Sequence, residues 1–219
     1  MQMSFTSGQF LEVFKTYNEA VFPMQIVFYL IGGIAIFMAL KPNRMSDKTI
    51  SIIISLMWLW MGIVYHIIFF SEINKAAYLF GTIFIIQGIL FLIFGFFQNK
   101  FSFQFQKDKY GIAGIILIVF ALIIYPVSGY FLGHFYPSSP TFGVPCPTTI
   151  FTFGFLLLNI KRCPPAVLII PFGWSAIGFM AAFQFGILED TGLIVAGIVA
   201  VSLLIYRNKT VGRGMKKIQ

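Results

Sequence analysis

"TISIIISLMWLWMGIVYHIIFFS", residues 49–71, decides how this chain folds. It runs without a single Lys, Arg, Asp or Glu. A helix needs about 20 apolar residues to cross the hydrocarbon core of a bilayer, and this run supplies them. Its apolar residues are continuous and do not alternate, so a helix is expected rather than a strand of a membrane barrel. Further runs share the character, and seven spans are predicted at 22–40, 49–71, 76–97, 111–132, 146–160, 165–184 and 189–206. Composition agrees: 58% of the residues are hydrophobic and 10% charged, where soluble domains carry about 25% charged residues. The expected fold is all-α, a polytopic transmembrane helical bundle. It forms one transmembrane domain over residues 1–219: an outer segment to residue 21, the bundle over 22–206, and a basic tail over 207–219. Residues 1–20 lack a basic start and an apolar core, so no cleavable signal peptide is expected.

Orientation follows from the basic residues. Lys41, Arg44 and Lys48 fall in the first loop, and Lys100, Lys107 and Lys109 in the third. Lys161 and Arg162 fall in the fifth, and the tail holds Arg207, Lys209, Arg213, Lys216 and Lys217. These thirteen of 15 lie on one side of a seven-span path; only Lys15 and Lys75 lie on the other. Positive charge stays cytoplasmic, so the N-terminus is expected outside and the C-terminus in the cytoplasm. The net charge of +8 then reports topology and attraction to anionic lipid. The expected partner is the lipid bilayer, and no nucleic acid is expected. A homo-oligomer, or a subunit of a larger membrane complex, is compatible with such a bundle. Cys146 opens span five on the outer side and Cys163 follows it on the inner side. About 25 Å of helix separates them, against a limit of about 7 Å between bridged Cα atoms, so no disulfide joins them.

Several local features carry expectations. Residues 7–21 read as an amphipathic helix on the outer interface, with Phe10, Phe14, Tyr17 and Val21 on one face and Ser7 as N-cap. It would anchor on the membrane surface or form a lid over an outer pocket. Gly81, Gly88 and Gly95 recur every seven residues, which suits close helix packing, and Gln87 beside them can bond to a neighbouring helix. "FSFQFQ", 101–106, alternates rings and polar groups and reads as an extended segment with its rings in lipid. Pro126 and Pro171 are expected to kink spans four and six.

Polar residues gather towards the outer side. Five of the 7 acidic residues lie there, among them Glu72, Glu189 and Asp190, as do both histidines, His66 and His134. Cys146, Thr148, Thr149 and Gln184 share that side. Within "WLWMGIVYH", Trp58, Gly62 and His66 fall on one helical face, while Tyr65 and Glu72 share a neighbouring stripe. "GVPCPTT", 143–149, follows a proline-rich loop and opens a span of only about 21 Å, too short for a core of about 30 Å. The loop is therefore expected to dip into the outer leaflet, with helix five starting below the surface beside a binding site. Tyr65, His66, Glu72, His134, Cys146, Thr148, Thr149, Glu189 and Asp190 are the expected lining of an outward-facing polar cavity. It would bind or transport a small cation, a metal ion or a polar solute. The alternative is an intramembrane enzyme, working with a metal or with Cys146 as nucleophile and His134 as base. No H-x-x-x-H or C-x-x-C occurs, so no metal ligand set is assigned, and no cofactor is identified. The last span has no lysine for a retinal Schiff base.

"QFLEVFKTYNEAVFP", "WMGIVYHIIFF", "INKAAYLFG" and "CPTTIFTFG" together resemble an uncharacterised bacterial family of small multi-span membrane proteins, a domain of unknown function. The resemblance spans nearly the whole chain. It implies residence in a bacterial cytoplasmic membrane and assigns no activity or site residues.

Overall fold

The structure, a computed structural model, describes residues 5–216. It is all-helical apart from short bridges. Helix α1 is Ser7–Val21, α2 Met24–Leu40, α3 Ser46–Glu72, α4 Ala77–Phe97 and α5 Lys109–Phe131. Then come α6, Pro145–Leu158, α7, Ala166–Phe185, and α8, Thr191–Lys216, the last entered through a 3-10 turn at Leu188–Asp190. Each predicted apolar run is helical. Five stretches are long and apolar enough to cross a membrane: α3, α4, α5, α7 and Leu188–Thr210. Counting α1 and α2 as one broken span, bent by 81°, makes six, while α6 is shorter, at 14 residues. Outer faces fit such a solvent: α2 exposes Ile26, Leu30, Ile34 and Phe37, and α5 exposes Ile112, Ile116, Ile123 and Val127. Stripes of this kind are lipid-facing surface in a spanning helix and a liability in water.

The glycine stripe of α4 does what its spacing suggests. A Cβ on Gly81 would stand 2.7 Å from the Gly62 carbonyl oxygen, and one on Gly88 would stand 2.8 Å from Leu59. One on Gly95 would overlap Ser51 Oγ, so α3 and α4 touch along their whole length. Ser55 Oγ adds a hydrogen bond to the Gly88 carbonyl at 2.7 Å. Helix α6 is the axis of the molecule: every residue of it but Cys146 is buried. It is crossed by α5 at Gly114 and Gly154, whose backbones meet with no room for a side chain. At its far end the "FSFQFQ" segment passes beneath it. Gln104 N–H donates to Leu158 O (3.0 Å) and Ile160 N–H to Ser102 O (2.9 Å). Phe101 and Phe103 are fully buried, so their rings enter the protein core and not lipid. The alternation is as read from sequence, but pairing with the end of α6 turns the ring face inward.

The cap of α1 lies one residue earlier than expected. Thr6, not Ser7, caps it, in a reciprocal box with Gln9. Its face of Phe10, Phe14 and Tyr17 is buried on the protein. Pro126 and Pro171 each lack an N–H and so free the carbonyl four residues back. For Pro126 that is Leu122 O, which accepts from Tyr29 Oη at 3.3 Å. For Pro171 it is Val167 O, which accepts from Gln87 Nε2 at 3.0 Å. α5 also carries a π-helical turn, Phe120–Ile124, that ends two residues before Pro126. Gln87 thus bonds a neighbouring helix as expected, at the one carbonyl of α7 that proline leaves open.

This linkage is testable. Gln87→Leu should cost about 1–2 kcal/mol by leaving a buried carbonyl unpaired. In a Pro171→Ala background the helix regains its own donor, and the penalty should fall by at least half. Unfolding of the four proteins in one detergent gives the double-mutant cycle, and equal penalties in both backgrounds would refute the link.

Candidate functional site

A cavity of about 360 Å³ lies at the end of the bundle where α6 begins. Its roof is α1 with Phe5, two residues before it: Phe5, Phe10 and Phe14. Tyr65 and Phe70 come from α3, Phe80 from α4, and Trp174 and Phe185 from α7. Phe5 stacks on Phe185 with ring centroids 4.9 Å apart, and Phe10 lies 4.8 Å from the same ring. The polar groups are few. Tyr65, Cys146, Trp174 and Asp190 contribute them, with Asn74 at the α3–α4 turn. The expected polar cavity is therefore an aromatic one with a small polar wall.

Local geometry explains how that wall is placed. Residues Met61–Phe69 of α3 form a π-helical stretch, followed by a 3-10 turn. Wide turns of this kind shift the angular phase of the residues beyond them and recur at functional sites. Here Tyr65 and His66 are both buried, although they are sequence neighbours. Glu72 does not share the Tyr65 stripe. It is exposed and lines a separate surface pocket with Gln9, Glu12 and Thr16. Proline at the first turn of α6 needs no N–H partner, which lets the helix start beside the cavity. Cys146, half-buried, lies beside Asp190 and the Trp174 indole. Gly178 makes room there: a Cβ on it would stand 3.4 Å from the Cys146 sulfur and 2.6 Å from Leu193.

Asp190 and Glu189 are buried, not solvated caps. The Tyr125 hydroxyl donates to Asp190 Oδ1. His134 Nδ1 lies 2.8 Å from Glu189 Oε1, and Gly129 leaves the space for that carboxylate. His134 is thus paired with Glu189 and not with Cys146. His66 is fully buried among Tyr65, Phe70, Phe80, Phe84 and Trp174, with neither ring nitrogen bonded among the described residues. Thr148 Oγ1 accepts from Gly143 N–H at 3.1 Å, while Thr149 Oγ1 has no partner among the described residues. Gln184 is exposed. Among the described residues no three of His, Cys, Asp and Glu come together as metal ligands would. Of the nine expected residues, Tyr65, Cys146 and Asp190 line the cavity.

Three contributors were not read from the sequence. Nothing in the sequence sets Tyr125 and Trp174 apart from the other aromatic residues of the apolar runs. Trp174 and Gly178 are four apart on α7, a large–small pair that marks an interior face. Asn18 is the third and ties the roof down. Its Nδ2 donates to Pro137 O (2.7 Å) and Ser139 O (2.8 Å) in the proline-rich loop. Its Oδ1 accepts from Thr141 Oγ1 at 2.8 Å. A buried polar residue on the apolar side of an amphipathic helix is the signal that could have found it. Tyr17 helps: Trp60 Nε1 donates to its hydroxyl at 2.9 Å, and burial pushes that hydroxyl up to about 12, so it stays neutral.

Residues 7–215 match the model of a family of unknown function (DUF6064). No curated protein and no solved structure matches the chain.

The roof can be loosened deliberately. Asn18→Ala should cost about 2 kcal/mol and accelerate alkylation of Cys146 by N-ethylmaleimide several-fold. Cys163 is the internal control. Burial raises its thiol to about 12 against the opposing pull of Arg207, so it stays protonated and slow. Mass spectrometry of the two cysteine peptides reads both rates, and an unchanged Cys146 rate would mean that α1 does not gate the cavity.

Proposed function

The chain belongs to this family of unknown function, and we propose from its geometry that it is a membrane-embedded binding protein for a small organic solute. The frame of this reading is seven spans: the five long helices together with α2 and the central α6. The N-terminus is outside, the C-terminus cytoplasmic, and the membrane the cytoplasmic membrane of a bacterium. α1 then lies over the outer end of the bundle as a roof.

One observation carries the reading: an aromatic cavity of about 360 Å³ with few polar groups, among which Cys146 lies beside Asp190 and Trp174. Ligand sites are typically concave, mostly apolar and at least about 300 Å³, with a few polar groups that fix orientation. The solute has an apolar body that meets the Phe rings and one polar head that meets Asp190, Cys146 and Tyr65. Binding or sensing is favoured over transport, because the other end of the bundle is closed. Phe101 and Phe103 are fully buried there, and Arg207 is 7% exposed beneath α6. A metal ion is not favoured, since no ligand set forms among the described residues.

Intact cells test the frame and the site together. A membrane-impermeant maleimide added outside should label Cys146 and leave Cys163 untouched until the membrane is opened. In purified protein, 2-phenylethanol at millimolar concentration should slow alkylation of Cys146 at least five-fold without affecting Cys163. Labelling of Cys163 alone in intact cells would reverse the orientation. Absence of protection by 2-phenylethanol and its relatives would remove the binding reading.

A further inference from the structure

Asp190 is 3% exposed and lines the cavity. Among the described residues Glu12 has Lys15 as its partner and Glu189 has His134, while Asp190 has no lysine, arginine or histidine as partner. Its neighbours on the wall, Tyr65, Cys146 and Trp174, carry dipoles and no positive charge. Lys75 lies between the rim residues Asn74 and Ala76, but its ammonium group sits 5.9 Å from the Tyr78 ring centroid, and it does not line the cavity. A carboxylate withdrawn from water without a cation is costly, and the Tyr125 hydroxyl and the Cys146 thiol beside it offset only part of that cost.

The rest of the enclosure is what an organic cation needs. Aromatic faces attract cations through the ring quadrupole, indole most strongly, and more so when desolvated. Trp174, Tyr65, Phe10, Phe14 and Phe70 line the same cavity as Asp190. An inorganic divalent ion needs several oxygen ligands, and the cavity has one carboxylate. An anion would meet Asp190 directly, with buried Glu189 next to it in the chain. An organic ammonium satisfies all three conditions: it needs one carboxylate, welcomes π faces and brings an apolar body to fill the aromatic volume.

We propose that the solute of this cavity is an organic cation, an apolar or aromatic body bearing an ammonium group, held by Asp190 and the surrounding aromatic rings. This rests on the cavity being a binding site. Three probes of one shape separate the two ideas: 2-phenylethylammonium, 2-phenylethanol and phenylacetate. Protection of Cys146 against alkylation near pH 7.5 is measured with the full chain in one detergent, and melting temperature is followed alongside.

The cation should protect at a concentration at least ten-fold below the alcohol, and phenylacetate should not protect. Asp190→Asn should remove the advantage of the cation over the alcohol. Trp174→Leu keeps the carboxylate and should weaken the cation several-fold more than the alcohol, so the test survives if one variant fails to fold. Equal protection by cation and alcohol, or an advantage that persists in Asp190→Asn, overturns the charge assignment while the binding site stands. Protection by none of the probes overturns both.

Discussion

A helix of 14 residues enclosed by protein leaves its last carbonyls where neither water nor a following helix can reach them. The Arg207 guanidinium answers this at the end of α6, donating to Leu157 O at 3.0 Å and Leu156 O at 3.1 Å. The cation also complements the negative end of the helix dipole. Asn159 and the 101–106 segment close what remains, and Lys161 Nζ reaches back to Asn99 O at 3.0 Å. Had α6 been long enough to emerge into water, none of this would be needed. A short central helix obliges the chain to build a floor beneath it, and that floor is made from Arg207, Asn159, Lys161 and the 101–106 segment.

The same accounting applies along the spans. Two prolines open two carbonyls, and a tyrosine and a glutamine from neighbouring helices fill them. In lipid an unpaired carbonyl has no solvent to turn to, so a proline in a span and a polar residue on its neighbour form one device. Glycines on α4 and at the α5–α6 crossing bring backbones close enough for such short side chains to reach.

Much of this was legible in the sequence because lipid imposes a simple code. Runs such as 49–71 can only be helices, and the seven-residue glycine period can only lie on one face. Gln87 beside that stripe could be read as an interhelical bond, although its acceptor at Val167 required knowing that α7 passes there. The site was legible in part. Cys146 and Asp190 were found because charge and thiol are rare in such surroundings. Tyr125, Trp174 and the phenylalanines of the roof could not be found so, because aromatic residues are 18% of this chain and most of them simply pack. Glu72 was misplaced for a geometric reason: helical phase was counted at a constant angle through a stretch where the turn widens to π and then tightens.

Unused polarity then locates the difference between the two ends of the bundle. Buried polar groups normally find partners, and those that do not call for a reason. Gln25, Gln87, Glu189 and Arg207 each leave one atom unpaired but spend another on a bond that holds the fold or, for Glu189, on His134. The side-chain nitrogens of His66 and Trp174 and the Thr149 hydroxyl have no hydrogen-bond partner within the limits of a normal bond among the described residues. His66 packs on Trp174 with centroids 5.2 Å apart, and Trp174 reaches the cavity wall beside Cys146. The floor end has consumed its polar side chains in closing the backbone. At the roof end Asn18 does the same for the proline-rich loop, but the side chains of His66, Thr149 and Trp174 stay unpaired among the described residues, and the cavity proposed as a binding site lies at that end.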